Sequence, residues 1–512
     1  MKLAKSTDIR KIDAYAADTL GIPEEELMRR SGHAVAEAVS TRTARGARVK
    51  IFVGEGNNGG DGYAAACELL PAYAVTVYDV FGGGTKSAGA RRFADAFRAA
   101  GGEIRIFSGD ADSVADAECL VDAVFGTGFH GTIPEEARTL ARLFRHAVAE
   151  KIAVDVPLGV NPDDGSVSPD AVTVGTTVCL SFVKAGLLSY PARGYVGEIV
   201  CDTLGLPVDL LSEKFPMPCE MIDADFARRH LPKRKENSSK GDFGRLLLLT
   251  GSEVYRGAAA LSLEAALRGG VGYVTYLGTE SQVHDLSEKF PEVIYRKFPP
   301  LSDLTEEEIR SVVALSEKQS ATLVGCGSED TAGLLRLVRA LLCAEGGTLI
   351  LDADALNALS HDRDAAAELF LHAKRKVILT PHPLEFSRLS GEGVEEVQLH
   401  RMEKAADYAK KTGTTLVLKG AGTVVTDGNA CYLNVTGSSA LAKAGSGDVL
   451  AGLLAALTAQ GGPATDAAAL AVYCHGLAAD TLAREFSTFG VTPSDLPKQI
   501  GREIARLQKE NM

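Results

Sequence analysis

Three observations predict an α/β protein with two domains. The 512 residues exceed what one hydrophobic core usually fills. Short β-rich runs alternate with helical stretches in both halves, a pattern typical of parallel sheets built from right-handed crossovers. The 53 glycines suit many tight strand-to-helix turns. Functional side chains are therefore expected just after the strands, where ligands bind to parallel sheets.

In the first half, helix formers occupy residues 13–20 and 24–40. Strands are predicted at 48–53, 75–80, 104–107, 119–124 and 152–156, with helices at 88–100 and 135–150 between them. The alternation lapses in a proline-bearing segment, residues 207–218, which places a domain boundary near residue 220. The predicted domains are residues 1–218 and 219–512.

The second half repeats the alternation, with strands predicted at 245–249, 322–324, 348–352, 377–380 and 415–419. Near its end, residues 424–426 and 431–434 flank Asp427-Gly428, which is a hairpin signal. The two halves share no convincing sequence repeat.

Composition excludes several classes of protein. A formal net charge of −13 would repel a phosphate backbone, so nucleic acid is not an expected partner. The nine cysteines are scattered without a C-x-x-C pair, which argues against a disulfide framework or a zinc site. Because neither a signal peptide nor a bilayer-spanning apolar run is evident, we expect a cytoplasmic protein without a membrane partner.

Residues 54–62, G-E-G-N-N-G-G-D-G, follow a predicted strand and open a helix. This is the context of a phosphate-cradling loop, in which glycines let backbone amides face an anion. The alternative is a tight turn that serves packing alone. Asp122 and Asp155 each end a strand and would converge near this loop, although strand-ending aspartates also commonly cap the next helix.

With residues 121–128, 154–157 and 161–165, this loop resembles the N-terminal domain of NAD(P)H-hydrate epimerases. The resemblance covers most of residues 1–210 and implies a Rossmann-like three-layer fold. It implies Asp155 as the catalytic carboxylate and potassium ligands at Asn58, Asp122 and position 158. The implied substrate contacts are Asp155 with Asn57, Asn58, Gly59, Gly60, Asp61, Gly126, Thr127, Gly128, Phe129, His130, Gly131 and Thr132. The family usually has Ser or Thr at position 158, where this chain has Leu158, so potassium would need a main-chain oxygen or water there.

In the second half, residues 442–448, A-K-A-G-S-G-D, precede an apolar helix at 449–458. Amides at a helix N-terminus would bind a diphosphate or triphosphate, and Asp448 could act as base on a substrate hydroxyl. The alternative is a plain helix start with an aspartate in its first turn.

Together with residues 251–252, 351–357 and 380–386, this segment resembles the ADP- or ATP-dependent NAD(P)H-hydrate dehydratases, which have a ribokinase-like α/β fold. The resemblance covers residues 225–505 and implies catalysis by Asp448, with Mg²⁺ and ADP or ATP. The implied substrate contacts are Asp448, Gly327, His382, Pro383, Leu384, Glu385, Phe386, Ser387 and Arg388. The implied nucleotide contacts are Lys419, Gly420, Ala421, Gly422, Thr423, Ser438, Ser439, Ala440, Leu441, Ala442, Lys443, Ala444, Gly445, Ser446 and Gly447.

Two residues and two segments in this half leave alternatives open. His382 lies between prolines and would serve packing alone in the simpler interpretation, and Lys419 would be a solvated strand end. The family commonly has N-P-G-M or N-P-G-L where residues 437–441 stand here, and a glycine pair where this chain has Ala444-Gly445. The Cβ of Ala444 would restrict the backbone beside a phosphate.

The paired resemblances imply metabolite repair of hydrated NADH and NADPH. The N-terminal domain would interconvert the R and S hydrates, and the C-terminal domain would dehydrate the S form at the expense of ADP or ATP. A homo-oligomer is the family expectation. Two rival functions are a small-molecule kinase, which shares the G-S-G-D helix start, and a non-catalytic binding module in the N-terminal half.

Overall fold

The computed structural model describes residues 1–129, 131–217 and 219–509. The chain divides into two compact units, one of Lys2–Cys219 and one from Glu220 onward with Met1. They are called the N-terminal unit and the C-terminal unit below. Among the described residues, no helix combines the length and the apolar character that crossing a membrane requires.

The N-terminal unit contains a seven-stranded parallel sheet of order β4-β3-β2-β5-β6-β7-β9. A short parallel pair, β1 and β8, lies beside it. The strands are β1 (Lys2–Ala4), β2 (Arg48–Val53), β3 (Ala74–Asp79), β4 (Glu103–Ile106), β5 (Cys119–Ala123), β6 (Glu150–Val154), β7 (Thr176–Leu180), β8 (Val183–Lys184) and β9 (Glu198–Asp202). The helices are α1 (Ser6–Asp18), α2 (Glu24–Arg42), α3 (Asn57–Leu69), α4 (Ala88–Ala99), α5 (Glu135–His146) and α6 (Val208–Lys214).

Helices cover both faces of this sheet because successive strand residues point to opposite sides. Ile51 of β2 packs in an apolar cluster with residues of α2 and α3. Phe52, the next residue, packs in a second cluster that includes Phe144 of α5. The rings of Phe52 and Phe144 meet edge to face, with centroids 5.2 Å apart. The unit is therefore a three-layer α/β structure.

The C-terminal unit has a ten-stranded sheet of order β13-β12-β11-β14-β15-β16-β17-β18-β19-β10. The strands are β10 (Cys219–Ile222), β11 (Arg245–Leu249), β12 (Tyr273–Gly278), β13 (Ile294–Lys297), β14 (Ala321–Val324), β15 (Thr348–Leu351), β16 (Val377–Leu379), β17 (Thr415–Leu418), β18 (Val424–Thr426) and β19 (Cys431–Asn434). The first seven strands in this order, from β13 through β11 to β17, are all parallel. Strand β18 runs antiparallel to both of its neighbours, β17 and β19.

Thirteen helices accompany the sheet in the described part of this unit. They are α7 (Ala224–His230), α8 (Arg256–Arg268), α9 (Glu280–Lys289), α10 (Glu306–Ser316), α11 (Ala332–Cys343), α12 (Asp354–Ser360), α13 (Arg363–Leu371), α14 (Pro383–Ser390), α15 (Val394–Leu399), α16 (Arg401–Thr412), α17 (Ser446–Ala459), α18 (Ala464–Gly490) and α19 (Leu496–Lys509). Helix α17 is buried along almost its whole length, from Val449 to Ala459. It packs with α8 against Leu246 and Leu248 of β11.

The structure confirms the α/β class and most of the predicted strands. Strands 48–53 and 245–249 and the hairpin around Asp427-Gly428 have the predicted bounds. Helix α5 ends at His146, not 150, because β6 already begins at Glu150. Strands β1, β7, β8, β9, β10, β12 and β13 were not predicted. β9 and β13 are poorly buried edge strands, so their sequences lack the long apolar runs of central strands.

The contact between α8 and α17 depends on Gly452. A Cβ at this position would lie 2.0 Å from the main-chain oxygen of Ser262, which cannot move without displacing its helix. We expect Gly452→Ala to destabilise the protein by about 1–3 kcal/mol through overpacking. Gly501→Ala in α19 is the matched control because its Cβ would meet nothing within 4 Å. Thermal unfolding should show a lower midpoint for Gly452→Ala and an equal or higher one for Gly501→Ala, and equal midpoints for both would contradict this packing.

Candidate active sites

A cavity of about 1,110 Å³ opens at the carboxyl edge of the N-terminal sheet. Asp155, which follows β6, and Lys184, which ends β8, line it. The start of α3 contributes Asn57, Asn58 and Asp61, and the segment after β5 contributes Gly126 to Phe129. Ligands of parallel sheets bind at this edge, so the cavity has the position that the sequence predicts for the site.

Of the five glycines in residues 54–62, all but Gly56 are needed for close packing, and none is needed for a left-handed backbone. None of them has a positive φ. A Cβ on Gly54 would lie 2.1 Å from the oxygen of Val124, and one on Gly59 would lie 2.1 Å from the oxygen of Gly54. The sequence-based prediction gave these glycines only the task of turning amides toward an anion, whereas the structure shows that they also allow close approach of the backbone. The N-terminus of α3 still lacks a side-chain cap and borders the cavity at Gly56 and Asn57.

A buried ion pair organises the cavity floor. Lys184 is fully buried, and its Nζ donates to Asp155 Oδ1 and, at 2.9 Å, to the oxygen of Leu180. The amide of Leu180 also donates to Asp155 Oδ1, at 3.1 Å. Burial works against the charge on Lys184, but the carboxylate of Asp155 outweighs it and raises the pKa of the lysine. Asp155 has a φ of 66°, a strained conformation for a residue other than glycine.

Two further carboxyl groups of this cavity have raised pKa values. Burial, reinforced by the charge of Asp155, holds the pKa of Asp61 well above its usual range. Burial raises the pKa of Asp13 in α1 to about 6, against the opposing influence of Lys184. The cavity therefore combines one carboxylate paired with an ammonium group and two carboxyl groups biased toward the protonated form.

Asp122 lies beneath the cavity and is completely buried. Its Oδ1 accepts from the amide of Val124 at 3.2 Å and its Oδ2 from the amide of Leu158 at 2.6 Å. Burial raises the pKa of Asp122 to about 6. Both side-chain amide atoms of Asn58, which lies against Gly126, are buried without a hydrogen-bond partner. An unpartnered Asn58 oxygen suits a hard cation such as K⁺, which prefers oxygen ligands.

Leu158 contributes no side-chain ligand. Its side chain packs in the apolar cluster around Ile133 and Val172, and its carbonyl oxygen accepts from the amide of Val172 at 2.9 Å. Of the other predicted epimerase contacts, Gly59, Gly60, Gly131 and Thr132 do not line the cavity. His130 lies outside the described residues.

In the C-terminal unit, Asp352 is the centre of a second site at the carboxyl edge of the sheet. It follows β15 and is buried. Its Oδ1 accepts from Thr380 Oγ1 at 2.6 Å and from Lys419 Nζ at 2.7 Å. Its Oδ2 lies 3.4 Å from the Cys326 thiol. Burial opposes the charge on Lys419, but the carboxylates of Asp352 and Glu385 raise its pKa.

Asp448 completes this cluster from the first turn of α17. Gly445, with a φ of 100°, precedes the helix and takes the left-handed conformation, so Ala444 does not need to. Ligand atoms of Asp448, Asp352 and Cys326 all lie within 4.8 Å of one another. Burial and the nearby Asp352 raise the pKa of Asp448 to about 6. Carboxylate oxygens so arranged are the ligands that Mg²⁺ prefers.

The predicted substrate segment 382–388 forms the start of α14. Nδ1 of His382 accepts from the amides of Leu384 and Glu385, both at 3.2 Å, so the ring caps the helix. Leu384 is about half exposed, whereas Phe386 is fully buried against Tyr408 and is a core residue. The remaining side chains have protein partners: Ser387 donates to the oxygen of Glu392 and Arg388 to Asn357.

The predicted nucleotide contacts fall into two groups. Lys419 is not a solvated strand end, because it is paired with Asp352, and the loop from Gly420 to Thr423 follows it. Residues 438–447 lead from β19 into α17. Within them Ala440 is buried, and Lys443 Nζ donates to the main-chain oxygen of Phe489 at 2.7 Å. Gly327, with a φ of 59°, packs against α8, where a Cβ would lie 2.7 Å from that of Tyr255.

Sequence reasoning did not select several residues that the structure brings into these sites. Lys184 and Asp13 have no motif around them, although a lysine inside the apolar run 178–188 is a signal of a buried partner. Asp352 and Thr380 lie in the segments 351–357 and 380–386, which carry the family resemblance, but neither residue was given a role from the sequence. Cys326, like them, follows a strand, the position at which the sequence predicts functional side chains.

Comparisons with known proteins agree with this arrangement. Residues 246–502 match the family described as NAD(P)H-hydrate dehydratase, and residues 24–186 match the family described as YjeF-related protein N-terminus. The chain is similar to proteins named bifunctional NAD(P)H-hydrate repair enzyme Nnr. The relative from Moorella thermoacetica is 31% identical, over 100% of this chain and 98% of its own. The relative from Pyrobaculum aerophilum is 33% identical, over 98% and 99%. The Escherichia coli relative is 32% identical, over 97% and 93%.

Solved structures resemble the C-terminal unit. The ADP/ATP-dependent NAD(P)H-hydrate dehydratase of Bacillus subtilis, co-crystallised with ATP/Mg²⁺, is 31% identical with a TM-score of 0.50, over 56% of this chain and 99% of its own. A ribokinase-like superfamily protein from Enterococcus faecalis is 26% identical with a TM-score of 0.51, over 57% and 96%. With two sites in one chain and full-length similarity to these relatives, the chain belongs to the family of bifunctional NAD(P)H-hydrate repair enzymes.

Proposed function

We propose that this chain restores NADH and NADPH from their 6-hydroxy hydrates. The N-terminal unit is the epimerase domain and the C-terminal unit is the dehydratase domain. The observation that carries the proposal is the presence, at the carboxyl edge of each sheet, of a buried aspartate paired with a lysine: Asp155 with the buried Lys184, and Asp352 with the partly buried Lys419. Each pair lies beside carboxyl groups with raised pKa values, as acid–base chemistry requires.

In the epimerase domain, Asp155 exchanges protons with the substrate while the C6 centre is lost and remade. Lys184 holds this carboxylate in place through its bond to Oδ1. Asp61, whose pKa is held well above its usual range, supplies a hydrogen-bond donor to the substrate's polar atoms. Asn58 and Asp122 would hold K⁺, which when bound adds positive charge beneath the substrate.

In the dehydratase domain, Asp448 takes the proton of the 6-hydroxyl group as that oxygen attacks the terminal phosphorus of ADP or ATP. AMP or ADP leaves, and the phosphate then departs from C6 as a proton leaves C5, which restores the ring. Amides at the start of α17, at Ser446 and Gly447, bind phosphate oxygens. Asp352 would hold Mg²⁺, which when bound would neutralise phosphate charge.

Substitutions of the two aspartates should separate the activities. With mixed R and S hydrates and ADP or ATP, Asp155→Asn should stop recovery of reduced cofactor after the S form is consumed. Asp448→Asn should slow all recovery by about 100-fold or more, because the base is lost. The absorbance of reduced nicotinamide follows both reactions. The exposed Asp95→Asn and Asp303→Asn are matched controls that should behave as wild type.

Phosphorylated hydrate that accumulates without restoring reduced cofactor would instead identify a small-molecule kinase. Wild-type protein that binds the hydrates but leaves the R form unconverted would make the N-terminal unit a binding module. Either result would contradict the proposed function.

The ion pair in the epimerase site gives a test of stability. Lys184→Met leaves Asp155 buried without its cation, so we expect a loss of about 3–5 kcal/mol and of epimerisation. The double variant Lys184→Met/Asp155→Asn removes both charges and should recover most of the stability but no epimerisation. Denaturant unfolding and R-to-S conversion measure the two effects. A double variant no more stable than Lys184→Met would contradict a pairing role for Lys184.

The pH dependence of the dehydratase activity should report the protonation of the Asp448 carboxylate. A base with a pKa of about 6 is lost on protonation, so kcat/KM should fall about tenfold per pH unit below 6. Because Lys419 lowers the pKa of Asp448, Lys419→Met should move this fall to higher pH, whereas the exposed Lys410→Met should leave it unchanged. An identical acid limb in all three proteins would exclude Asp448 as the titrating base.

A further inference from the structure

A second cavity, of about 590 Å³, lies in the C-terminal unit away from the catalytic carboxylates. It is formed by the segment between α7 and β11 and by the turn between α17 and α18. Asp448 stands at the start of α17 and Gln460, which lines the cavity, follows its end. The 14 residues of this helix span about 21 Å, so the cavity is remote from Asp448.

The cavity wall carries three cations and two carboxylates, Asp242 and Asp466. Arg229, Lys233 and Lys235 all line it. Lys233 and Lys235 form no ion pair with a carboxylate in the part of the chain that the structure describes. A guanidinium nitrogen of Arg229 lies 3.5 Å from Oε1 of Glu220. In a chain with a net charge of −13, such a local excess of positive charge favours an anionic ligand.

The two carboxylates in the cavity have local hydrogen-bond donors. Asp466 Oδ1 accepts from the hydroxyl of Tyr432 at 2.8 Å, and its Oδ2 lies 3.7 Å from Nε2 of His230. Asp242 Oδ2 accepts from the amide and the hydroxyl of Ser239, at 2.6 and 3.0 Å. These contacts reduce the repulsion that an anion would meet.

The remaining wall has donors and an apolar surface. Asn237 and Ser238 line the cavity beside the lysines, and α18 begins there after Pro463 without a side-chain cap. A helix N-terminus carries partial positive charge, which adds to that of the lysines. Phe243 and Leu470 provide the apolar side, and the guanidinium of Arg234 stacks on the Phe243 ring at 3.8 Å.

We propose that this cavity binds an organic phosphate of mononucleotide size. Lys233 and Lys235 bind the phosphate group, and the wall around Phe243 contacts the organic part. A volume of about 590 Å³ lies within the range of small-molecule sites. The site is separate from both active sites and adds a ligand to those that the proposed function requires.

The chain has no tryptophan, so Phe243→Trp would place a single reporter in the cavity wall. Emission excited at the red edge of the indole band would be followed during titration with AMP, inorganic phosphate or adenosine. We expect saturable changes with AMP and with phosphate, and none with adenosine, because the cations select the phosphate. Adding Lys233→Gln/Lys235→Gln should weaken AMP binding by about tenfold or more, since two charged contacts are lost.

The matched control adds Lys410→Gln/Lys411→Gln, which removes the same charge from the exposed side of α16. AMP binding should then equal that of Phe243→Trp alone. Unchanged AMP affinity in the Lys233/Lys235 variant, equal binding of adenosine, or an emission change on protein dilution in place of ligand addition would each overturn the proposal. The last result would assign the cavity to a contact between copies of the chain. None of these readings depends on turnover, so they are independent of the proposed function.

Discussion

The sites of this protein depend on the pairing of a lysine with a buried aspartate. Removing two charges from water is costly, and the cost is offset only when geometry is good and the remaining donors and acceptors are satisfied. Lys184 and Asp155 meet this condition through Leu180, which supplies an acceptor for the lysine and a donor for the aspartate. Around Asp352, Thr380 adds a second donor to that of Lys419. Each pair thereby fixes the floor of its site.

The two pairs also make neighbouring carboxyl groups differ in how readily they are protonated. A carboxylate that faces an ammonium group is favoured as an anion, whereas carboxyl groups that are merely buried are biased toward the protonated form. Asp61 belongs to the second kind because burial holds its pKa well above the usual range, whereas Asp13 and Asp448, with pKa values raised to about 6, can exchange a proton near neutral pH. Proton-transfer sites commonly contain two acids whose environments move their pKa values apart. One of them can then act as an acid and the other as a base at the same pH.

The α/β fold and the position of the sites could be predicted from the sequence. In a parallel sheet with helical crossovers, the residues that follow the strands all lie at one edge. The positions of Asp155 and the start of α3 follow from that rule, Asp448 was identified from the helix start at residues 442–448, and the catalytic roles came from the family resemblance. Sequence reasoning could not find Lys184, which lies 29 residues beyond Asp155 and meets it only after β7 and β8 have formed. It also assigned Phe386 to the substrate, although the amphipathic start of α14 turns that ring into the core.

The left-handed conformation of Asp155 has a consequence for how this site could be used. Among residues with a side chain, asparagine and aspartate tolerate this region best. A chain with asparagine at 155 and methionine at 184 would therefore keep the local backbone while losing both charges of the buried pair. We expect the same cavity then to bind its ligand without converting it, which suits the capture of that ligand from a mixture. The left-handed backbone at residue 155, which limits the residues that can occupy this position, thus also allows the site to be converted into a binding reagent.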